Sequence, residues 1–334
     1  MAGVFLTIDV ECSMGGAWSE GRLRPISPAR AILGAYGGRR LGLPLIVRIL
    51  AEHGLAATFF VEPFAAEQGH PGHMEGICQF LLDRGQDVQL HIHPNHYHYG
   101  LHLQGRPTAR TDQMADLEPD AQRRLLEEGA ARLQRWTGRR PVAFRAGNLG
   151  ASEETLRQVR AAGMHIDSSY SFPYAGGQCR FAADRPYNGT RWYDDVLELA
   201  LSGFVQPNVP GLHRAKPLDL AGIGEGECRD AVTRITAAGA QAVVILHSFS
   251  LFKVRTDRYD GGRPNRVVIG RWRRLCRWLA AHATQRPVQT LRELEAQVQA
   301  GRFEARAVPP LRMGRPLRAL ARKAVQGVNR LYWI

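Results

Sequence analysis

The sequence predicts an α/β protein built on a parallel sheet or barrel, and three observations predict it. Short apolar runs alternate with helix-periodic segments, the βαβα pattern of parallel sheets. The runs end abruptly in polar groups and turn residues, as buried parallel strands do. The helical segments between them close on glycine, at Gly54, Gly85 and Gly163. With 334 residues the chain can bury one large α/β domain with decorations, the simpler reading, or two smaller domains.

Residues 3–9 read as the first strand and 13–38 as a long loop over its carboxyl end, where loops shape substrate sites. Residues 43–52 are a helix, 56–61 the second strand, 73–84 a helix and 87–93 the third strand. A polar, His-rich loop spans 95–112, and 119–137 is helical with mixed charges. Residues 141–145 form a strand, and Ser152, followed by Glu153 and Glu154, caps a helix to Ala162. Another strand end lies at 164–169. The stretch 170–192, rich in Gly, Pro and aromatics and without periodicity, reads as a substrate loop. Then come a strand at 196–201, a helix at 225–238, a buried strand at 243–248 and a helix at 266–282, with Trp272 and Trp278 as packing residues. A short strand at 288–291 closes the series, Thr290 capping the helix that follows.

Five scattered cysteines without Cys-x-x-Cys spacing argue against a disulfide framework or a zinc ribbon and fit a reducing compartment. The chain enters its first strand almost at once, without the charged and apolar regions of a signal peptide, so a cytoplasmic protein is expected. No apolar run approaches the ~18 residues of a membrane span. The net charge of +13 is concentrated at one end: residues 301–334 hold eight cations against the single carboxylate Glu304. No nucleic-acid-binding module accompanies it, and nucleic acid is not an expected partner.

Chemistry gathers at the strand ends. Asp9 and Glu11 share one strand face, and so do His91 and His93. Arg145 and His247 close two further strands. A single histidine at a strand end is usually a satisfied core residue; several at one edge of one sheet point to chemistry. One carboxylate and two imidazoles with an open position make a catalytic zinc-type site. Asp9 is then placed as general base, His247 as general acid, and Arg145 to orient Asp9 or bind a substrate anion.

These ordered motifs resemble the NodB-homology polysaccharide deacetylases, carbohydrate esterase family four and its relatives, from Val4 to about Glu295. Thr7-Ile8-Asp9-Val10-Glu11 is similar to the first motif, Phe144-Arg145-Ala146-Gly147 to the third, and Ile245-Leu246-His247-Ser248 to the fifth. The resemblance implies a distorted (β/α) barrel, a divalent metal, most readily Zn2+, held by Glu11, His91 and His93, and removal of an acyl group from an amino sugar. The second motif departs from the standard pair of His four residues apart, because position 95 is Asn. It resembles a His-x-His-Pro branch, with His96 as the substitute for His93. The fourth motif lacks its usual Asp-Trp pair, and Asp167 is the carboxylate assigned to orient His247.

The domain division expected is 1–300 for the deacetylase-like domain and 301–334 for a basic amphipathic tail. In the tail Leu317, Leu320, Ala324, Val328 and Leu331 recur at helical spacing, and Arg315, Arg318, Arg322, Lys323 and Arg330 mostly take the other side, before a Leu-Tyr-Trp-Ile end. Such a helix suits an anionic membrane surface or a docked position on the domain. The expected substrates are surface polysaccharide or its lipid-linked or nucleotide-linked precursors. A related amide hydrolase with a non-sugar substrate, and a catalytically silent glycan or membrane binder, are the alternatives.

Overall fold

The computed structural model describes residues 2–67, 72–182, 185–208, 214–313 and 316–332. Arg315, Trp333 and Ile334, singled out above, lie outside the described residues, as do the side chains of Arg318, Arg330 and Leu331. The alternation of side chains along strands sorts the apolar residues into two cores. In the Val4–Val10 strand, Val4, Leu6, Ile8 and Val10 face the large core between sheet and helices. Phe5 turns the other way and packs with Phe60, Ile166, Leu197, Val243 and Ile245 inside the curl of the sheet.

Ten strands form that sheet. The order runs Ala242–His247, Val4–Val10, Thr58–Val61, Asp87–Ile92, Ala143–Ala146, Ile166–Asp167, Val196–Ala200, Asn188–Tyr193 and Ala307–Val308, with Val288–Gln289 also beside Val4–Val10. The first seven of that order are parallel, so their carboxyl ends share one rim. Closure comes from irregular backbone. The Ile245 N–H donates to the Leu218 carbonyl at 3.1 Å, and the Leu220 N–H to the Ile245 carbonyl at 3.3 Å. Leu291 and Leu294, from the Leu291–Gln299 helix, fill the opposite end, where the Leu291 N–H donates to Thr58 Oγ1 at 3.0 Å. The result is the distorted (β/α) barrel predicted, with helices outside.

Two segments differ from the sequence reading. Within the expected 95–112 loop, Pro94–Leu103 is a helix. Proline at its first position suits a helix start, and burial of His96 and Tyr99 fixes it despite the weak apolar periodicity. Within the expected 170–192 loop, Asn188–Tyr193 is a strand, made so by antiparallel pairing with Val196–Ala200. Beyond residue 300, Ala307–Val308 joins the large sheet and Leu311–Arg312 pairs with Gly203–Val205, before the Pro316–Tyr332 helix.

Candidate active site

Register places the chemistry. Asp9 pairs with His247 on adjacent strands, and His91 with Arg145. Each sits at the interior parity of its strand, in line with Phe5 and Thr7, Gln89, Ala143, or Val243 and Ile245. Asp9, Glu11, His91, His93 and His247 therefore converge on one cleft of about 160 Å³ at the carboxyl rim.

The tautomers of the two histidines follow from their outer partners. His91 Nδ1 donates to the Arg145 carbonyl at 2.8 Å, and His93 Nδ1 donates to the Asp112 carboxylate at 3.0 Å. Both partners only accept, so each ring commits its Nδ1 proton outward and turns Nε2 inward. These nitrogens lie 3.0 and 2.6 Å from Glu11 Oε2. Three electron-pair donors, all within 4.8 Å of one another, repel unless a proton or a cation sits among them. The protonation energetics say the same. Burial opposes charge on Glu11, but the His93 charge and the two histidine bonds outweigh it and hold the carboxyl well below its usual range. Burial likewise opposes charge on His93, and Glu11 and Asp112 outweigh it, holding that imidazole well above its ordinary value. A carboxylate and two imidazole Nε2 atoms suit a divalent metal such as zinc.

Asp9 is nearly buried and accepts from Arg145 Nη1 at 2.7 Å, with its other oxygen 4.0 Å from His247 Nε2. Arg145 is fully buried and held by Thr7 Oγ1, the Ser168 carbonyl and Ser168 Oγ, while its guanidinium lies 4.2 Å over the Phe60 ring. A fixed charge in this setting cannot swing toward substrate, so it orients Asp9.

His96 does not join the cluster. Its Nε2 donates to the Cys12 carbonyl at 2.9 Å, and burial pushes it down to about 4, so it stays neutral. Asp167 lies away from His247, accepting from the Ser169 N–H and hydroxyl beside Glu198. Burial raises both carboxyls, Glu198 the more strongly because the Asp167 charge adds to it.

Two carboxylates escaped the sequence reading. Asp112 orients His93 and accepts from Asn148 Nδ2 at 2.7 Å. Asn148 and Leu149 both line the cleft with positive φ, 53° and 57°, strain of the kind that collects at functional sites. Asp219, half-buried in the cleft wall, faces His247, whose charge opposes the rise that desolvation imposes on the Asp219 carboxyl. It follows Leu218 and precedes Leu220, a short apolar run carrying a carboxylate, which is a weak form of the strand-end signal.

Fold and site together define an α/β barrel with a carboxylate and two imidazoles gathered at its mouth. Residues 38–166 match the polysaccharide deacetylase family model, a span holding His91, His93, Asp112 and Arg145. That segment is thus similar to the polysaccharide deacetylase family, in line with the resemblance read from the motifs. A Mycobacterium smegmatis protein described as a polysaccharide deacetylase shares the fold with a TM-score of 0.52 at 18% identity, covering 94% of each chain. PuuE allantoinase shares it with a TM-score of 0.53 at 12% identity, over 91% of this chain and 92% of that one. No curated protein matches the sequence.

Proposed function

We propose that this protein is a metal-dependent hydrolase that removes an N-acetyl or similar small acyl group from an amino sugar of a surface polysaccharide or its lipid-linked or nucleotide-linked precursor. The observation that carries the reading is the pair of Nε2 atoms aimed at Glu11 beside Asp9. Glu11, His91 and His93 would hold the metal, which when bound would supply Lewis-acid polarisation of the acyl carbonyl and of a water. Asp9, kept in place by Arg145, takes the proton of the attacking water. His247, from the partner strand, gives a proton to the departing amine, and Asp219 faces it from the cleft wall. Asp112 and the Arg145 carbonyl fix the ring orientations of His93 and His91. The five described cysteines are all free and buried, which supports a reducing, cytoplasmic setting.

The fold likeness to PuuE allantoinase favours one second reading, an amide hydrolase with a non-sugar substrate. Metal analysis and initial rates on N-acetylated amino sugars and on non-sugar amides separate the two. His91→Ala and His93→Ala lose both metal and activity, His96→Ala keeps its metal, and Asp9→Asn keeps its metal but loses about 10²- to 10⁴-fold in rate. Full activity in metal-free protein would sink the proposal.

A further inference from the structure

The Pro316–Tyr332 helix docks with the side that a soluble amphipathic helix would leave in water. Ala319 and Arg322 are buried, and Arg322 bonds Glu227 and, at 2.6 Å, Gln206. Gln326 Nε2 donates to the Gly222 carbonyl at 2.7 Å, and Asn329 Nδ2 to Asn265 Oδ1 at 3.2 Å. Residues 319, 322, 326 and 329 follow helical spacing, so these contacts form one face. The opposite face carries Leu317, Leu320 and Val328, exposed by 78, 47 and 46%, and Val325, 46% exposed, lies at the edge of the docked side beside Arg322. They are four of the seven large hydrophobic side chains exposed among the described residues. Such a stripe in water is costly and marks a contact surface.

Charge selects the occupant. From residue 305 to the end the sequence has seven cations and no carboxylate. A second copy laid stripe to stripe would bring these like charges together, with Arg322 alone offset, by Glu227. An anionic bilayer accepts both the apolar stripe and the excess of cations in this part of the sequence.

The docked face also ties the helix to the catalytic rim. Gly222 lies three residues after Asp219 of the cleft. Asn265 Nδ2 donates to the Ser250 carbonyl at 3.3 Å, and Ser250 Oγ accepts from the His247 N–H at 3.0 Å. We propose that this helix seats its outward apolar stripe in an anionic membrane surface, so that the cleft addresses amino sugars carried on membrane lipid. The choice of substrate form rests on the deacetylase reading; the membrane contact does not.

The test is co-sedimentation of the full chain with vesicles of phosphatidylcholine alone or mixed with phosphatidylglycerol, in low and high salt. Pelleting with the anionic vesicles, weakened by salt, is expected. Leu320→Asp with Val328→Asp should weaken binding by at least about a hundredfold, since each buried aliphatic side chain contributes a factor of ten or more. Lys323→Gln should weaken it roughly fivefold. The double variant should retain its circular dichroism and its rate on a free N-acetylated amino sugar while losing rate on the same sugar attached to lipid in the vesicles. Equal pelleting of parent and double variant overturns the membrane contact. So does a parent that sediments as a dimer in the absence of lipid, while the variant is monomeric and neither binds vesicles. Binding to vesicles with no turnover of either sugar would leave the membrane contact standing and refute the deacetylase reading instead.

Discussion

A methyl group at Gly147 tests the ligand geometry with the smallest change available. A Cβ there would stand 2.5 Å from Nδ1, 2.6 Å from Cγ and 2.7 Å from Cε1 of His93. Comfortable contact needs about 3.5–4.0 Å, so the ring must retreat by about 1 Å. The backbone offers no other obstacle, because Gly147 is not among the positive-φ glycines. Retreat breaks the Nδ1 bond to Asp112 and draws Nε2 away from Glu11. Disturbing the orientation of a ligand costs about 10–100-fold in metal affinity, and a 1 Å misplacement costs about 10²-fold in rate. The overpacking itself costs about 1–3 kcal/mol of stability. Gly147→Ala should therefore fold, melt somewhat earlier, and lose metal in competition with a chromophoric chelator. Gly76→Ala is the control. It sits within the His73–Leu82 helix with no atom near an added Cβ, and should gain up to about 1 kcal/mol with metal and activity unchanged. If Gly147→Ala binds metal as tightly and turns over as fast as the parent, His93 is not a ligand.

Asp112→Ala should leave the fold intact and reduce metal affinity about 10–100-fold, read by the same competition titration; undiminished affinity would remove Asp112 from the site. Glu62 gives a pH prediction for metal-free protein. Burial pushes its carboxyl from 4.5 up to about 8, although the backbone N–H groups of Phe64 and Ala65 favour the charged form. The folded state then holds a proton that the unfolded chain has already released, so this stabilisation is full below pH 4.5 and lost as pH rises through 8. Between those values the slope approaches about 1.4 kcal/mol per pH unit, and Glu62→Gln should remove it at the cost of a constant offset. Parallel melting curves of parent and variant across that range would contradict the assignment.

The strand ends were legible because one-sided burial enforces a period of two. Asp9, Glu11, His91, His93, Arg145 and His247 all announce their direction through apolar neighbours. Asp112 and Asp219 did not, since irregular backbone carries them and its course is set by distant contacts. Asp167 ends a strand as expected, yet with Ile166 inside the curl the alternation turns its carboxyl to the outer face, toward Ser169 and Glu198. The Pro94–Leu103 helix was hidden by histidines on several sides, and the Asn188–Tyr193 strand by a pairing that local sequence does not encode. In the tail the amphipathic pattern was visible. Which side would dock was not, because that depends on Glu227 and Gln206 elsewhere in the chain.

The in-register rim divides the chain into parts that can change at different rates. Inserting or deleting one residue in the Val4–Val10, Asp87–Ile92 or Ala242–His247 strand would turn Asp9, the His91/His93 pair or His247 out of the barrel, so these strands tolerate substitution far better than length change. The stretches at 13–42, 104–111 and 170–182 carry no such phase. Lineages of this fold can lengthen, shorten or exchange them and so acquire new substrates while the proton-handling groups keep their spacing.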